Sequence, residues 1–394
     1  MIKRDYLIIG AGLAGARACE GIRAHDKKGS ITMAGREAFP PYERPSLSKT
    51  FLKNAGNSVH GLLHHDAAWF AQQKVELRLG TTVRELNLER HIAVLQDGQA
   101  IEFRKALLCT GSRPKRPPVA GAALGNVFYL NALRDALAIK EAAGLEKSVT
   151  VIGGGMLALE AAAALRQAKL KVTLLNRNHS LWQKWLDPET SQWLTEIFRK
   201  RGVDLLLGED LNGFEGKTIL KNIQTKSGER IIAQMAIVAV GAEPNLELVH
   251  HTPLHSPAGT PVNEYLETDE KGIFAAGDIA LYPDKIFSIM RRLTHWDNAR
   301  EQGFVAGQNM TGKKRVKFDY VPYFFTQLFD VNLEFFGEFK FVPSQVEFDG
   351  SRPRRKFVAR YFCQGKLVGV VHCNQEARLG AKAREMIRAA QGGK

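Results

Sequence analysis

Two glycine-rich turns carry the clearest chemistry in this chain of 394 residues. Gly10-x-Gly12-x-x-Gly15 follows an apolar run at residues 5–10 and opens a helical pattern over residues 13–24. The first glycine makes a tight turn, the second lets a pyrophosphate approach the backbone, and the third lets helix pack on strand. Free N–H groups at the helix start, where Leu13 and Ala14 stand, meet phosphates with the helix's partial positive charge. An acid near the end of the next strand binds a ribose. Glu37 lies 22 residues past Gly15 with Arg36 beside it, and either can face that ribose. The second turn is Gly153-Gly154-Gly155 with Ala158 as its small third residue, and Met156 and Leu157 open its helix. Its ribose position holds Asn176, followed by Arg177. An uncharged amide does not repel a 2′-phosphate and Arg177 offers a cation, so NADH and NADPH both remain open.

These turns need strand-turn-helix-strand units to hold them. One unit is expected over residues 5–34 and a second over 149–175, about 140 residues later. Between them, residues 83–87, 91–95 and 100–103 read as a meander. Residues 106–109 read as a separate return strand ending at Thr110-Gly111. The proline-rich stretch 113–118 reads as a crossing between units. Residues 236–241 form the second return, before Glu243-Pro244-Asn245. Strand patterns at 331–336, 356–362 and 367–372 precede a basic helix near 377–390.

The net charge of +14 is unevenly spread: residues 313–394 hold 16 Lys+Arg against 8 Asp+Glu. Such a surface attracts acidic proteins, nucleic acid or anionic lipid. No apolar run approaches the roughly 18 residues of a membrane span. The start of the chain mimics a short signal peptide, but Asp5 interrupts it and the glycines have a better use, so the chain reads as cytoplasmic.

The four cysteines, Cys19, Cys109, Cys363 and Cys373, form no CxxC pair. Cys363 and Cys373 read as two buried thiols. No metal site is expected, because His64-His65 and His250-His251 lack i,i+4 spacing and lie in loops.

The chain resembles the FAD-dependent pyridine nucleotide reductases with two dinucleotide-binding domains, in the ferredoxin/rubredoxin reductase branch that includes relatives of apoptosis-inducing factor. Seven motifs occur in order: the first glycine turn; Pro41-Tyr-Glu-Arg-Pro-Ser-Leu-Ser-Lys49; Cys109-Thr-Gly-Ser-Arg-Pro114; the second turn with Glu160; Gly241-x-x-Pro244-Asn245; Gly272-Ile-Phe-Ala-Ala-Gly-Asp278; and His295-Trp-Asp-Asn-Ala-Arg-Glu-Gln-Gly303. The resemblance implies an α/β fold with two Rossmann-like dinucleotide-binding domains plus a C-terminal α+β domain. The FAD domain would take residues 1–112 and 245–312, the NAD(P) domain 113–244, and the last domain 313–394.

It also implies roles. Gly277 and Asp278 would hold the FAD ribityl chain, and Arg44 would lie near the flavin pyrophosphate. Thr110 and Gly111 would cross close to FAD, Trp296 would shield the isoalloxazine, and Val83 and Gly241 would add cofactor contacts. Lys49 would lie at flavin N5, where hydride from NAD(P)H arrives, paired with Glu160. The family's redox cysteines are absent from residues 42–49. Electrons would therefore leave the flavin directly and singly, which suits an acidic ferredoxin- or rubredoxin-type acceptor drawn to the basic C-terminal domain. Arg352, Arg354, Arg355 and Lys356 are the expected docking cluster.

Five positions in three motifs depart from the family pattern: Asn131-Ala132 replaces Arg-Thr, Thr294 replaces a glutamate, and Thr326-Gln327 replaces Ser-Asp. The rival readings are a slow, redox-gated interaction protein, dimerising or binding nucleic acid, and an NAD(P)H oxidase or quinone reductase.

Overall fold

The computed structural model describes residues 1–392 except Ala55, Asn57, Lys314 and Val342. Four of the six remaining positions, Lys314, Val342, Gly393 and Lys394, fall in the expected 313–394 domain and lie outside the described residues. The chain forms two units: residues 1–43, 59–113 and 243–320, and residues 44–58, 114–242 and 321–394. Each is described by itself.

In the first unit, β1 (Ile2–Ile9) leads through α1 (Leu13–His25) to β2 (Ile31–Gly35). With β3 (Val75–Leu79), β4 (Val83–Asn87), β5 (Ile92–Leu95) and β6 (Ala100–Leu108) they form one sheet in the order β3-β2-β1-β6-β5-β4. β1, β2, β3 and β6 run parallel, and β4 and β5 add the antiparallel meander. The sequence suggests a break at Arg104-Lys105, but β6 runs unbroken through both. The two charges stay in the strand because it serves different partners at its two ends. Residues 100–102 pair with β5, and Ala106–Leu108 pair with Ile273–Ala275. Arg104 also lies over the Tyr6 ring and donates to its hydroxyl. The Asp278 segment is thereby fixed to the same sheet as the first glycine turn.

Glycines set how closely α1 meets the Trp296–Met310 helix. A Cβ at Gly303 would stand 2.3 Å from the Ala14 carbonyl oxygen, and one at Gly307 2.2 Å from that of Ala18. Asp26 closes the far end of α1. Its carboxylate accepts from the Lys28 and Gly29 amides at 3.0 Å and from the Tyr6 hydroxyl at 2.9 Å.

In the second unit a parallel five-stranded sheet runs Val203–Leu207, Lys171–Asn176, Ser148–Ile152, Ala236–Val238, Val127–Phe128. A small antiparallel sheet of residues 211–232 flanks it in sequence. Residues 323–373 build a five-stranded antiparallel sheet against which the Arg378–Ala390 helix packs. Two strands here, Tyr323–Leu328 and Gln345–Ser351, and the helices Leu133–Leu145 and Pro188–Lys200 have no counterpart in the sequence reading. The antiparallel sheet joins its unit through aromatic packing. Trp182 meets Phe335 edge-on, and Trp185 meets Phe324 edge-on. The Tyr361 hydroxyl donates to buried Asp187.

The hydrogen bond from Gly29, with those from Lys28 and Tyr6, holds the Asp26 carboxyl down at about 2, against an ordinary 3.8. The stabilisation is complete above the unfolded value of 3.8 and is lost as pH falls through about 2. Thermal unfolding should therefore show Asp26→Asn less stable than wild type at pH 7, with the gap narrowing below pH about 4.

Candidate active site

The two glycine turns are built on one steric plan. Gly10 has φ +125°, and a Cβ there would lie 2.1 Å from the Cys109 carbonyl oxygen. Gly153 has φ +133°, and its Cβ would lie 2.2 Å from that of Ala239. In both units the glycine therefore sits against the return strand. A Cβ at Gly12 or at Gly155 would meet nothing within 4 Å. These positions are open, as the approach of a pyrophosphate requires. Gly15 closes the first turn: its Cβ would strike the Gly10 oxygen at 2.3 Å. Ala158, fully buried, fills that role in the second. Gly12 and Gly155 cap their helices without a side-chain hydrogen bond, and neither first turn holds an acid. Leu13, Ala14, Met156 and Leu157 occupy these first turns.

In the first unit Glu37 is half-buried and its carboxylate accepts from the Tyr42 hydroxyl at 2.6 Å, whereas Arg36 is exposed. Thr110 and Gly111 are locked to the returning chain. The Thr110 hydroxyl donates to the Asn245 carbonyl at 2.9 Å, and the Asn245 amide side chain donates back at 2.8 Å. Gly277, with φ +76°, donates to the Gln302 side chain at 2.8 Å. The Asp278 carboxylate accepts from the Ser112 hydroxyl at 2.6 Å, and its carbonyl from Arg292 at 3.0 Å. Val83 is buried in the core. Trp296 starts its helix half-buried, with the Arg300 guanidinium over its ring.

In the second unit Asn176 ends its strand 2 % exposed. Its Oδ1 accepts from the Asn178 amide at 3.2 Å, and its buried Nδ2 has no hydrogen-bond partner among the described residues. An unpaired buried donor beside an open glycine turn fits a missing polar ligand. A Cβ on Gly154 would come 2.5 Å from Asn176 Oδ1, so that glycine keeps the amide over the turn. Arg177 is exposed. Gly241 has φ +121° and accepts from the Lys115 amide. Arg44 donates to the Asn131 carbonyl at 2.7 Å, while Arg134 is exposed beside Asp135.

Lys49 and Glu160 form an ion pair at 2.8 Å, with side chains 14 % and 4 % exposed. The other Glu160 oxygen accepts from Ser48, and Thr326 donates to Glu160 at 2.7 Å. The Lys49 ammonium also donates to the Pro45 carbonyl and lies 5.6 Å from the Phe325 ring centroid. The departure at Thr326 thus keeps the hydroxyl that holds Glu160, and Gln327 is exposed. The sequence reading missed Ser48 and Thr326. Nothing in their spacing marks them, because Thr326 is 166 residues from Glu160.

The thiols stand outside this chemistry. Burial raises Cys19 to about 12 and pushes Cys109 higher still. Cys373 is buried, but Cys363 is only half-buried, since it ends a strand beside the turn at Gln364-Gly365.

Residues 4–303 match the family described as pyridine nucleotide-disulphide oxidoreductase, and the chain belongs to it. Putidaredoxin reductase CamA of Pseudomonas putida is 31% identical over 339 residues, covering 84% of this chain and 80% of that one. The crystal structure of the ferredoxin reductase for the CYP199A2 system from Rhodopseudomonas palustris superposes with a TM-score of 0.91 at 28% identity, covering 96% of this chain and 93% of that one. The covalent putidaredoxin reductase-putidaredoxin complex gives 0.91 at 27% identity, with 98% and 94% covered. The chain is an oxidoreductase of the ferredoxin reductase branch that uses FAD and NAD(H). Among the described residues no helix is long and apolar enough to cross a membrane.

Removing one partner of a buried ion pair strands the other charge. Glu160→Gln should cost about 3–5 kcal/mol in urea unfolding, and Lys49→Met with Glu160→Leu should recover most of that loss. Equal losses in single and double variants would contradict the coupling.

Proposed function

We propose that this chain is an NADH-dependent reductase of an acidic ferredoxin-type iron–sulfur protein. The observation that carries the reading is the pair of open glycine turns combined with the thiols of Cys19, Cys109 and Cys373, which burial keeps protonated. FAD, when bound, accepts a hydride and releases its electrons singly. The remaining work belongs to the chain. The first turn, Glu37 and Asp278 bind FAD, the turn at Gly153–Gly155 receives the dinucleotide pyrophosphate, and the unpaired Asn176 amide donates to its ribose. A relative 31% identical over 334 residues, the ferredoxin--NAD(+) reductase component of the p-cumate 2,3-dioxygenase system of Pseudomonas putida, supports NADH. Lys49 is the cation that answers the negative charge of a reduced flavin, and Glu160, itself held by Ser48 and Thr326, pairs with it between reactions.

The docking face is assigned to the C-terminal sheet and helix. A groove of about 610 Å³ there is lined by Arg354, Lys356, Arg360 and Lys382, with Asp349 as its one acid. These four cations have no carboxylate partner among the described residues. Arg352 and Arg355, expected in the same cluster, are committed elsewhere. Arg352 pairs with Asp187 and Glu189, and Arg355 with Asp330. The expected cluster therefore contracts to Arg354 and Lys356, and Arg360 and Lys382 complete it. The free thiols suit the cytoplasm, where we place the protein.

Rim charges act mainly on association and its salt dependence. Reversing Arg354 and Lys356 to Glu should raise KM for an acidic ferredoxin at least about tenfold at low salt and flatten its salt dependence. Anaerobic flavin reduction by NADH should be unchanged in stopped flow. Unaltered ferredoxin kinetics would move the docking face elsewhere.

A further inference from the structure

Away from the glycine turns, in the first unit, Glu20, His64 and His65 converge. Glu20 projects from α1. His64 Nε2 lies 3.1 Å and His65 Nε2 2.9 Å from the same carboxylate oxygen, Glu20 Oε1. The three ligand atoms all lie within 4.8 Å of one another. Behind His64, its Nδ1 faces Glu43 Oε1 at 3.1 Å. We propose that Glu20, His64 and His65 bind a divalent transition-metal ion of the zinc class, with Glu43 orienting His64 and water completing the shell.

The donor set fits such an ion. Two imidazoles and one carboxylate suit zinc, which in open sites takes three protein ligands and a water. Ligands around tetrahedral zinc at about 2.0–2.1 Å stand about 3.3 Å apart. Each nitrogen already stands within a few tenths of an ångström of that spacing from Glu20 Oε1, and the two nitrogens lie within 4.8 Å of each other. A carboxylate on the far nitrogen of a ligating histidine fixes the ring and its tautomer, and Glu43 stands in that place. The side chains of Glu20, His64 and His65 are 19%, 17% and 25% exposed, so solvent can supply the remaining ligand.

Both histidines are also held before any ion arrives. The Glu43 amide donates to the Leu62 carbonyl and the His64 amide to the Pro41 carbonyl, both at 2.8 Å. This ladder binds the segment carrying Glu43 to the one carrying the histidines. His65 stacks on Trp69 with ring centroids 3.8 Å apart, and the Asp66 carboxylate caps the Ala67–Gln72 helix by accepting from the Trp69 amide. The turn after Leu63 aims both Nε2 atoms at one oxygen, although neighbours in an extended strand point to opposite faces. The cost lies on the other side of Glu20, whose second oxygen pairs with Arg17. That guanidinium repels an incoming cation, and the ion must be one that imidazole binds strongly.

In the ion-free state the pair of carboxylates favours a charged His64. Hydrogen bonds to Glu20 and Glu43 raise it to about 9. An ion replaces the proton on Nε2 and leaves the Nδ1 proton on Glu43. The occupied site would bolt residues 62–65 to α1, the helix that opens at the first glycine turn.

The test is equilibrium dialysis of the tag-free, chelator-treated holoenzyme against Zn²⁺, with Co²⁺ absorption as a second readout. One Zn²⁺ per chain is expected in wild type and in a His250→Gln/His251→Gln control. His64→Gln/His65→Gln should abolish it, together with the intense visible bands of tetrahedral Co²⁺. Glu43→Gln removes no ligand and should weaken binding roughly 10–100-fold, so it carries the test if the double variant fails to fold. No zinc bound by wild type, or binding unchanged in both the double variant and Glu43→Gln, would overturn the proposal.

Discussion

The close approach of two return-strand carbonyls to two glycines is the constraint on which the rest of the structure depends. Cys109 and Ala239 each place an oxygen where a Cβ on Gly10 or Gly153 would stand. Any side chain there would push the helix off its sheet and turn its N–H groups away from the phosphate position. The same economy recurs along α1, where Gly303 and Gly307 bring the Trp296–Met310 helix onto the Ala14 and Ala18 backbone. The Gly277-Asp278 turn hangs from the strand that precedes this helix and pairs with β6. Three separated stretches of sequence therefore meet because small residues let backbones touch.

Charge is arranged on a different principle in each place. Lys49 and Glu160 are desolvated and rely on each other and on two hydroxyls, so neither can be removed alone without a penalty. Arg352 and Arg355 spend their charge within the unit. Arg354, Lys356, Arg360 and Lys382 keep theirs for solvent, and such charges act at long range and weaken with salt. Residues close in sequence thus serve opposite purposes, and the net charge of the segment does not reveal which is which.

The legible parts of the fold were those with local signals. Strand, glycine turn and helix came out within a residue in both dinucleotide units, save that β1 starts at Ile2 and not at residue 5, because each position in the turn has its own steric demand while the polar start of β1 has none. The helix Pro188–Lys200 carries a readable start, with Asp187 capping it, Pro188 at its first position and Glu189 in its first turn. The sequence reading passed over it. Strand Gln345–Ser351 was hidden for another reason: it is an edge strand with four exposed positions among seven, so it lacks an apolar run. β6 was split because charges in mid-strand look like a turn until its two sets of neighbours are known. The support around Glu160 was not legible at all. Hydroxyls at Ser48 and Thr326 and the meeting of Glu20 with His64 and His65 are long-range events, and a single sequence holds no spacing rule for them.

The central claim is that electrons enter a flavin and leave it without passing through a thiol. Anaerobic titration of the purified holoenzyme, following flavin absorbance, tests it most directly. The account predicts complete reduction by one NADH, two electrons per FAD, with no thiolate-to-flavin charge-transfer band. A requirement for four electrons per FAD would reveal a redox-active disulfide and contradict it.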